Sequence, residues 1–162
     1  MLPEQFTERM KNMLGDEYEA FEASYAREKM QALRFNPLKG DKEAFLEKVP
    51  FSLSKVAWSE NGYYYEKEDA PGKHPYHEAG VYYIQEPSAQ TPAALLEACP
   101  GERILDLCSA PGGKATQIAG AMNGEGLLVC NEYVANRAKI LSENVERMGI
   151  RNACLLYTSD AA

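Results

Sequence analysis

The residues of this chain with the means to do chemistry are a glycine turn, an acid beyond it, and a few scattered thiols and imidazoles. The turn lies in "LDLCSAPGGKATQIAG", Leu105 to Gly120. A buried strand pattern ending at Cys108 enters Ser109-Ala110-Pro111-Gly112-Gly113-Lys114, and a helical pattern leaves it. Strand, tight glycine turn and helix are how open α/β sheets hold nucleotides. Two phosphate-binding readings fail. A Walker loop needs glycine where Cys108 stands and a hydroxyl where Ala115 follows Lys114, and the dinucleotide spacing G-x-G-x-x-G is absent.

S-adenosylmethionine, a nucleoside cofactor without phosphates, fits better. It needs backbone close to its amino-acid end and a carboxylate for its ribose. Gly112 and Gly113 permit the close approach because they carry no Cβ, and Pro111 stiffens the turn. Glu132 lies twenty residues past Gly112 (132 − 112), at the end of the next strand. That is where the ribose-binding acid sits in Rossmann-type sites, and one carboxylate can accept from both ribose hydroxyls.

The other reactive side chains form no constellation. Cys99, Cys108, Cys130 and Cys154 show no close pairing, so they read as reduced thiols rather than a zinc site or a disulfide framework. His74 and His77, three apart in a Pro-rich loop, have no third ligand and read as loop polar groups. No metal is expected. The net charge of −7 weighs against a polyanionic partner, which selects a positive face. No apolar run approaches the roughly 18 residues of a membrane span, and Met1-Leu2-Pro3-Glu4-Gln5 does not resemble a signal peptide. The expected location is the cytoplasm.

The elements that must position the turn follow from periodicity. Phe6, Met10, Met13 and Leu14 predict a helix over residues 3–14 that Gly15 ends, with Asp16 capping a second helix that carries Tyr18, Phe21 and Tyr25. "ALRFNPLKG" reads as a short strand and turn, and Asp41 as the cap of a short helix through Leu46. Val56–Trp58 and Tyr63–Tyr65 read as strands around an Asn61-Gly62 turn. "VYYI" is a strand, and Thr91-Pro92 opens a helix. After Pro100-Gly101 the pattern becomes strand 103–108, helix 113–122, strand 127–130, a helix on Val134, Ala138, Leu141, Val145 and Met148 with Gly149 as its cap, and a third strand from Ala153. The expected class is α/β: a small N-terminal α+β domain followed by a truncated Rossmann-type methyltransferase domain holding only its first β-α-β-α units. Three strands leave an open edge and half-bare helices.

These residues carry a family resemblance. "LDLCSAPGGKATQIA" resembles the first motif of the RsmB/NOP-type RNA cytosine-5 methyltransferases. "LPEQFTERM", "LRFNPLK", "PGKHPYHEAGVYYIQEPSA" and "VCNEYVANRAKIL" resemble its RsmF-like branch. The resemblance implies that Cys108, Ser109, Ala110, Pro111, Gly112, Gly113 and Lys114 form the cofactor turn, that Glu132 holds the ribose, and that Asp106 orients the turn. It marks Arg34, Asn36 and Lys39 of "LRFNPLK" as weak candidates for RNA-backbone contacts, with Phe35 in the core.

The family's chemistry is covalent. A cysteine thiolate adds to cytosine carbon 6, carbon 5 takes the methyl group, and a second cysteine assists release. The nucleophile follows Thr and the releasing cysteine follows Pro. None of the four cysteines has either context, so no catalytic residue is expected here and the chain is expected to be inactive by itself. The implied partner is RNA, ribosomal RNA or the small ribosomal subunit, with no membrane partner. A transfer-RNA enzyme of the same family and a non-catalytic RNA-binding or assembly module are the alternatives. The expected divisions are 1–90 for the RNA-side domain, 91–153 for the first part of the methyltransferase domain, and 154–162 for a non-native tail, since "CLLYTSDAA" looks like a translated library adapter.

Overall fold

Alternating faces decide where each strand of this chain can sit, and β1 (Ala32–Phe35) has no exposed face at all. It is therefore a central strand covered on both sides. A computed structural model describes residues 2–157 and places β1 between β3 (Gly62–Tyr64) and β4 (Tyr82–Ile84) in an antiparallel sheet that β2 (Ser54–Lys55) extends, in the order β2-β3-β1-β4. Leu33 stands opposite both Tyr63 and Ile84. Leu33 and Phe35 point into a core with Phe45, Val49, Tyr63 and Tyr82. Phe45 comes from α3 (Lys42–Lys48), which Asp41 caps by accepting from Ala44 N–H at 2.9 Å, as expected.

The hairpin differs from the sequence reading. β2 is Ser54–Lys55, not Val56–Trp58. Val56 N–H donates to Gly62 O, Ser59 N–H to Val56 O and Gly62 N–H to Ser59 O. These bonds make residues 56–61 a hydrogen-bonded loop instead of a two-residue turn. Val56 is buried by it, and Trp58 is carried out of the sheet.

The nucleotide-fold half follows β4. The helix α5 (Thr91–Leu96) leads to β5 (Arg103–Asp106), α6 (Gly113–Ala121), β6 (Leu127–Asn131), α7 (Ala135–Arg147) and β7 (Ala153–Leu156). A short helix, α4 (Pro75–Glu78), lies in the Pro-rich loop before β4. Strands β5, β6 and β7 are parallel and in sequence order, with Asp106 beside Cys130 and Cys130 beside Leu155. Gly149 ends α7 at φ +74°, a left-handed conformation that favours glycine. Residues 154–156, expected to begin a non-native tail, pair with Val129, Cys130 and Asn131. The rest of that stretch, 158–162, lies outside the described residues.

One face of the parallel sheet is covered. Leu128 and Cys130 pack with Ile118, Met122, Leu141 and Val145 of α6 and α7 or the turn after α6. On the opposite face Leu105, Leu127 and Leu156 remain 41–57% exposed, as does Leu107 just past β5 at 65%.

By contact the chain divides between Met30 and Gln31. The first unit holds α1 (Glu4–Leu14) and α2 (Tyr18–Ser24), joined by a 3₁₀ turn over Gly15–Glu17. Phe6 meets Phe21 and Tyr25. Asp16 does not cap α2, contrary to expectation. Gly15 lets the chain pass directly into the 3₁₀ turn, so Asp16 is inside a helical run, where its side chain has no free helix start to serve. Among the described residues no helix is long and apolar enough to cross a membrane, and no group of three or more His, Cys, Asp or Glu is gathered to hold a metal ion.

Candidate cofactor site

The turn begins where Asp106 stops β5. Its Oδ1 accepts from Cys108 N–H at 3.2 Å and its backbone oxygen from Ser109 Oγ at 2.9 Å. These bonds fold the chain back two residues before the strand end expected from sequence. Lys114 Nζ returns from the start of α6 to Cys108 O at 2.7 Å and lies 3.5 Å from Asp106 Oδ2. Asp106 is 8% exposed, and Oδ2 has no hydrogen-bond partner among the described residues. Gly112 sits at φ +118° directly before α6. A Cβ on it would press on Leu141 and Asn144 at 3.4 Å, and one on Gly113 would lie 3.1 Å from Gln85 Nε2. Gly112 is thus favoured by the turn's own backbone conformation, apart from any ligand.

Glu132 follows β6 at the same edge of the sheet. The two strand ends are tied directly, because Ser109 N–H donates to Asn131 O and Asn131 Nδ2 to Leu107 O. Glu132 is 4% exposed; Oε1 accepts from Val134 N–H at 2.9 Å, and Oε2 lies 3.5 Å from Arg137 Nη1. Sequence reasoning missed Arg137. Its Nη2 donates to Ala110 O at 2.7 Å, so one guanidinium spans the acid and the turn. The available signal was a cation in the first turn of the helix after the acid, where it is a neighbour in space. Asn144 adds a bond to Pro111 O at 2.9 Å.

The structure therefore brings the whole of Cys108–Lys114 together with Glu132. Asp106 Oδ2, which has the Lys114 ammonium at 3.5 Å but no hydrogen bond, can accept from an ammonium group, the buried Glu132 carboxylate suits hydroxyl donors, and the first N–H groups of α6 have no intrahelical acceptors. This donor set fits an amino-acid nucleoside. Beside the turn is a cavity of about 500 Å³ lined by Tyr83, Ile84, Pro92, Ala110, Pro111 and Lys114. Cys108 is exposed in the turn, while Cys130 is enclosed beneath it, where burial pushes its thiol up to about 11.

Two of the RNA-backbone candidates are corrected. Arg34 is 2% exposed and spends Nε on Gln85 Oε1 (3.0 Å) and Nη2 on Thr116 Oγ1 (2.7 Å) and Gly113 O (3.2 Å). Asn36 is 1% exposed and donates to Gly80 O and Met148 O, both at 2.9 Å. Neither faces a passing phosphate. Their strand is central, so its polar side chains are enclosed and lock the antiparallel sheet to α6 and to the end of α7. Burial lowers the Arg34 pKa to about 9, against a smaller opposing effect of Tyr83. Lys39 is exposed, and Phe35 is in the core.

Comparison with known proteins agrees with this geometry. The model of the N-terminal domain of 16S rRNA methyltransferase RsmF matches residues 2–87, and that of 16S rRNA methyltransferase RsmB/F matches residues 93–161. Ribosomal RNA small subunit methyltransferase F of Vibrio campbellii is 40% identical over 95% of this chain, and that of Vibrio vulnificus 39% identical over 95%. The chain spans only 34% and 35% of those two relatives, about a third of their length. A methyltransferase homolog protein from Pyrococcus horikoshii superposes with a TM-score of 0.84 at 26% identity, over 98% of this chain and 53% of that one. The two matches, over residues 2–87 and 93–161, show that the chain belongs to the RsmF family of 16S rRNA methyltransferases.

Proposed function

We propose that this chain is the RNA-side and cofactor-binding portion of an S-adenosylmethionine-dependent enzyme that methylates carbon 5 of a cytosine in RNA of the small ribosomal subunit, in the cytoplasm. The observation that carries the cofactor assignment is the joint placement of the buried Asp106 and Glu132 carboxylates at the C-terminal ends of adjacent parallel strands, where open α/β sheets bind ligands.

S-adenosylmethionine supplies an electrophilic methyl group on a sulfonium. Asp106 Oδ2 would accept from its ammonium group, the start of α6 would face its carboxylate, and Glu132 Oε2 would accept from the ribose. Arg137 Nη1 lies 3.5 Å from Glu132 Oε2 while its Nη2 donates to Ala110 O, so one side chain ties the acid to the turn. Cys108, Ser109, Ala110, Pro111, Gly112, Gly113 and Lys114 shape the surface against which the cofactor lies. Methyl transfer to carbon 5 needs a thiolate to add at carbon 6. Cys130 is buried with a raised pKa, and Cys108 lies in the turn, so neither is positioned as that nucleophile. The chain is therefore expected to bind cofactor weakly and to transfer no methyl group.

The test is a titration of the chain with S-adenosylmethionine, followed by NMR at the Gly112 and Gly113 amides. Saturable shifts are expected, and Glu132→Ala should weaken binding at least about tenfold, the loss of one charged hydrogen bond of roughly 1.5–3 kcal/mol. An unchanged affinity in a folded Glu132→Ala protein overturns the ribose assignment. Methyl incorporation into RNA by this chain would show that one of its four cysteines is a working nucleophile.

A further inference from the structure

The carbonyls of the cofactor turn are taken up by side chains that lie behind it. Lys114 Nζ reaches Cys108 O, Arg137 Nη2 reaches Ala110 O, Asn144 Nδ2 reaches Pro111 O at 2.9 Å, and Arg34 Nη2 reaches Gly113 O. Lys114, Arg137 and Arg34 are cations, and every hydrogen-bonding atom of a cationic head is a donor. Asn144 is different. Its carboxamide donates at one end and accepts at the other, so only one of its orientations can serve a carbonyl. With the amide turned over, Oδ1 would face Pro111 O and repel it.

Arg147 decides that orientation. Its Nη2 donates to Asn144 Oδ1 at 2.9 Å. A guanidinium has no acceptor atom, so it can hold only the oxygen end of the amide and turns the NH2 group toward Pro111. Arg147 is itself fixed at two further points. Its Nη1 donates to His77 O in the last turn of α4. Its guanidinium lies over the Tyr83 ring, 5.7 Å from the centroid, within the roughly 6 Å of a cation–π contact. The backbone after α4 packs directly on the end of α7, because a Cβ on Gly80 would collide with Arg147 O. Asn144 also bounds the turn by contact, since a Cβ on Gly112 would meet its Cβ at 3.4 Å.

We propose that Arg147 is a positioning residue for the cofactor: by holding the Asn144 amide in one orientation it sets the place of Pro111 O, and with it the backbone at Gly112. Arg147 does not line the cavity beside the turn, so it acts only through Asn144. One guanidinium thereby joins the loop carrying His77 to the cofactor turn. A binding surface is as exact as the bonds that support it from behind. The identity of the ligand, S-adenosylmethionine, rests on the function proposed above; the hold of Arg147 on the turn does not.

Gly112 reports the link directly, because its amide nitrogen shares a peptide group with Pro111 O. The 162-residue chain, Arg147→Met and Asn144→Asp would be compared by amide NMR, by titration with S-adenosylmethionine and by urea unfolding. Asn144→Asp keeps the size of the side chain and its contact with Arg147 but sets an acceptor against Pro111 O. Both variants should move the Gly112 amide signal before any ligand is added. Both should weaken cofactor binding by about threefold to tenfold, the worth of one neutral hydrogen bond. Asn144→Asp gains an ion pair with Arg147 and should stay close to the wild-type urea midpoint, a separation of affinity from stability that a merely structural contact would not give. An unmoved Gly112 signal in Arg147→Met, or unchanged affinity in a folded Asn144→Asp protein, would overturn the proposal. Affinity lost only in step with the urea midpoint in both variants would overturn it as well. A wild-type chain that shows no response to S-adenosylmethionine, while Gly112 still moves in both variants, would refute the cofactor reading alone and leave Arg147 as the residue that sets the turn.

Discussion

Thr116→Val tests the join between the antiparallel sheet and the cofactor turn with almost no change in volume. Thr116 is buried on α6, and its Oγ1 accepts from Arg34 Nη2 at 2.7 Å. Valine keeps the shape and places a methyl group against a guanidinium that has already lost its hydration. A hydrogen bond to a charged group contributes roughly 1.5–3 kcal/mol, so the variant should lose about 2 kcal/mol of stability. For a chain of this length each kcal/mol moves Tm by roughly 2–4 °C, which gives a fall of about 4–8 °C. The assay is urea unfolding followed by Trp58 fluorescence, reading the midpoint at unchanged slope. A double-mutant cycle with Arg34→Met isolates the pair, and its coupling should be about 1–3 kcal/mol. A loss below about 0.5 kcal/mol, the range of ordinary surface substitutions, or a coupling near zero would refute the claim that Arg34 ties β1 to α6.

Arg137→Met removes the guanidinium that spans Glu132 and Ala110 O, and should weaken S-adenosylmethionine binding in calorimetry while the circular dichroism spectrum is retained. In thiol titration of the native chain, Cys99, Cys108 and Cys154 should react and the buried Cys130 only after unfolding. The Cys130 pKa is raised by burial to about 11 from an ordinary value near 9. The folded state therefore favours the neutral thiol, and the stability this contributes is complete below pH 9 and lost between 9 and 11. The stability difference between wild type and Cys130→Ala should shrink over that window in urea midpoints. Replacing Leu105 and Leu107 by Lys on the bare sheet face should reduce binding of a hydrophobic dye and leave Tm nearly unchanged, since both side chains are already more than half exposed.

The elements of the nucleotide fold were legible because each obeys one dominant period. Leu128 and Cys130 alternate with less buried neighbours along β6, and Leu141 and Val145 fall on one face of α7. Glycine marked the turn and the end of α7 correctly, since both Gly112 and Gly149 adopt positive φ. The hairpin was misread because Asn61-Gly62 is a strong local turn signal. Local preference there loses to the hydrogen bonds that bury Val56 and close a longer loop through Ser59 and Gly62.

The site shows a different limit. Spacing alone located the turn and Glu132, because strand, turn and strand end are linked by sequence distance. Arg137 escaped notice because its function depends on a helix turning it back toward Ala110, a relation in space. Arg34 and Asn36 were misjudged for a related reason. They were marked by the resemblance of "LRFNPLK" and not by burial, and in a strand with one free face their side chains would be exposed. β1 has no free face. Residues that alternate away from the aromatic core therefore meet α6, and their polarity is absorbed by carbonyls and a hydroxyl across the join. A charge enclosed in this way is costly to keep unless it is hydrogen-bonded, and Gln85, Thr116 and Gly113 supply those bonds. The polarity of "RFN" thus belongs to the interior of the molecule, where it fixes the cofactor turn from behind.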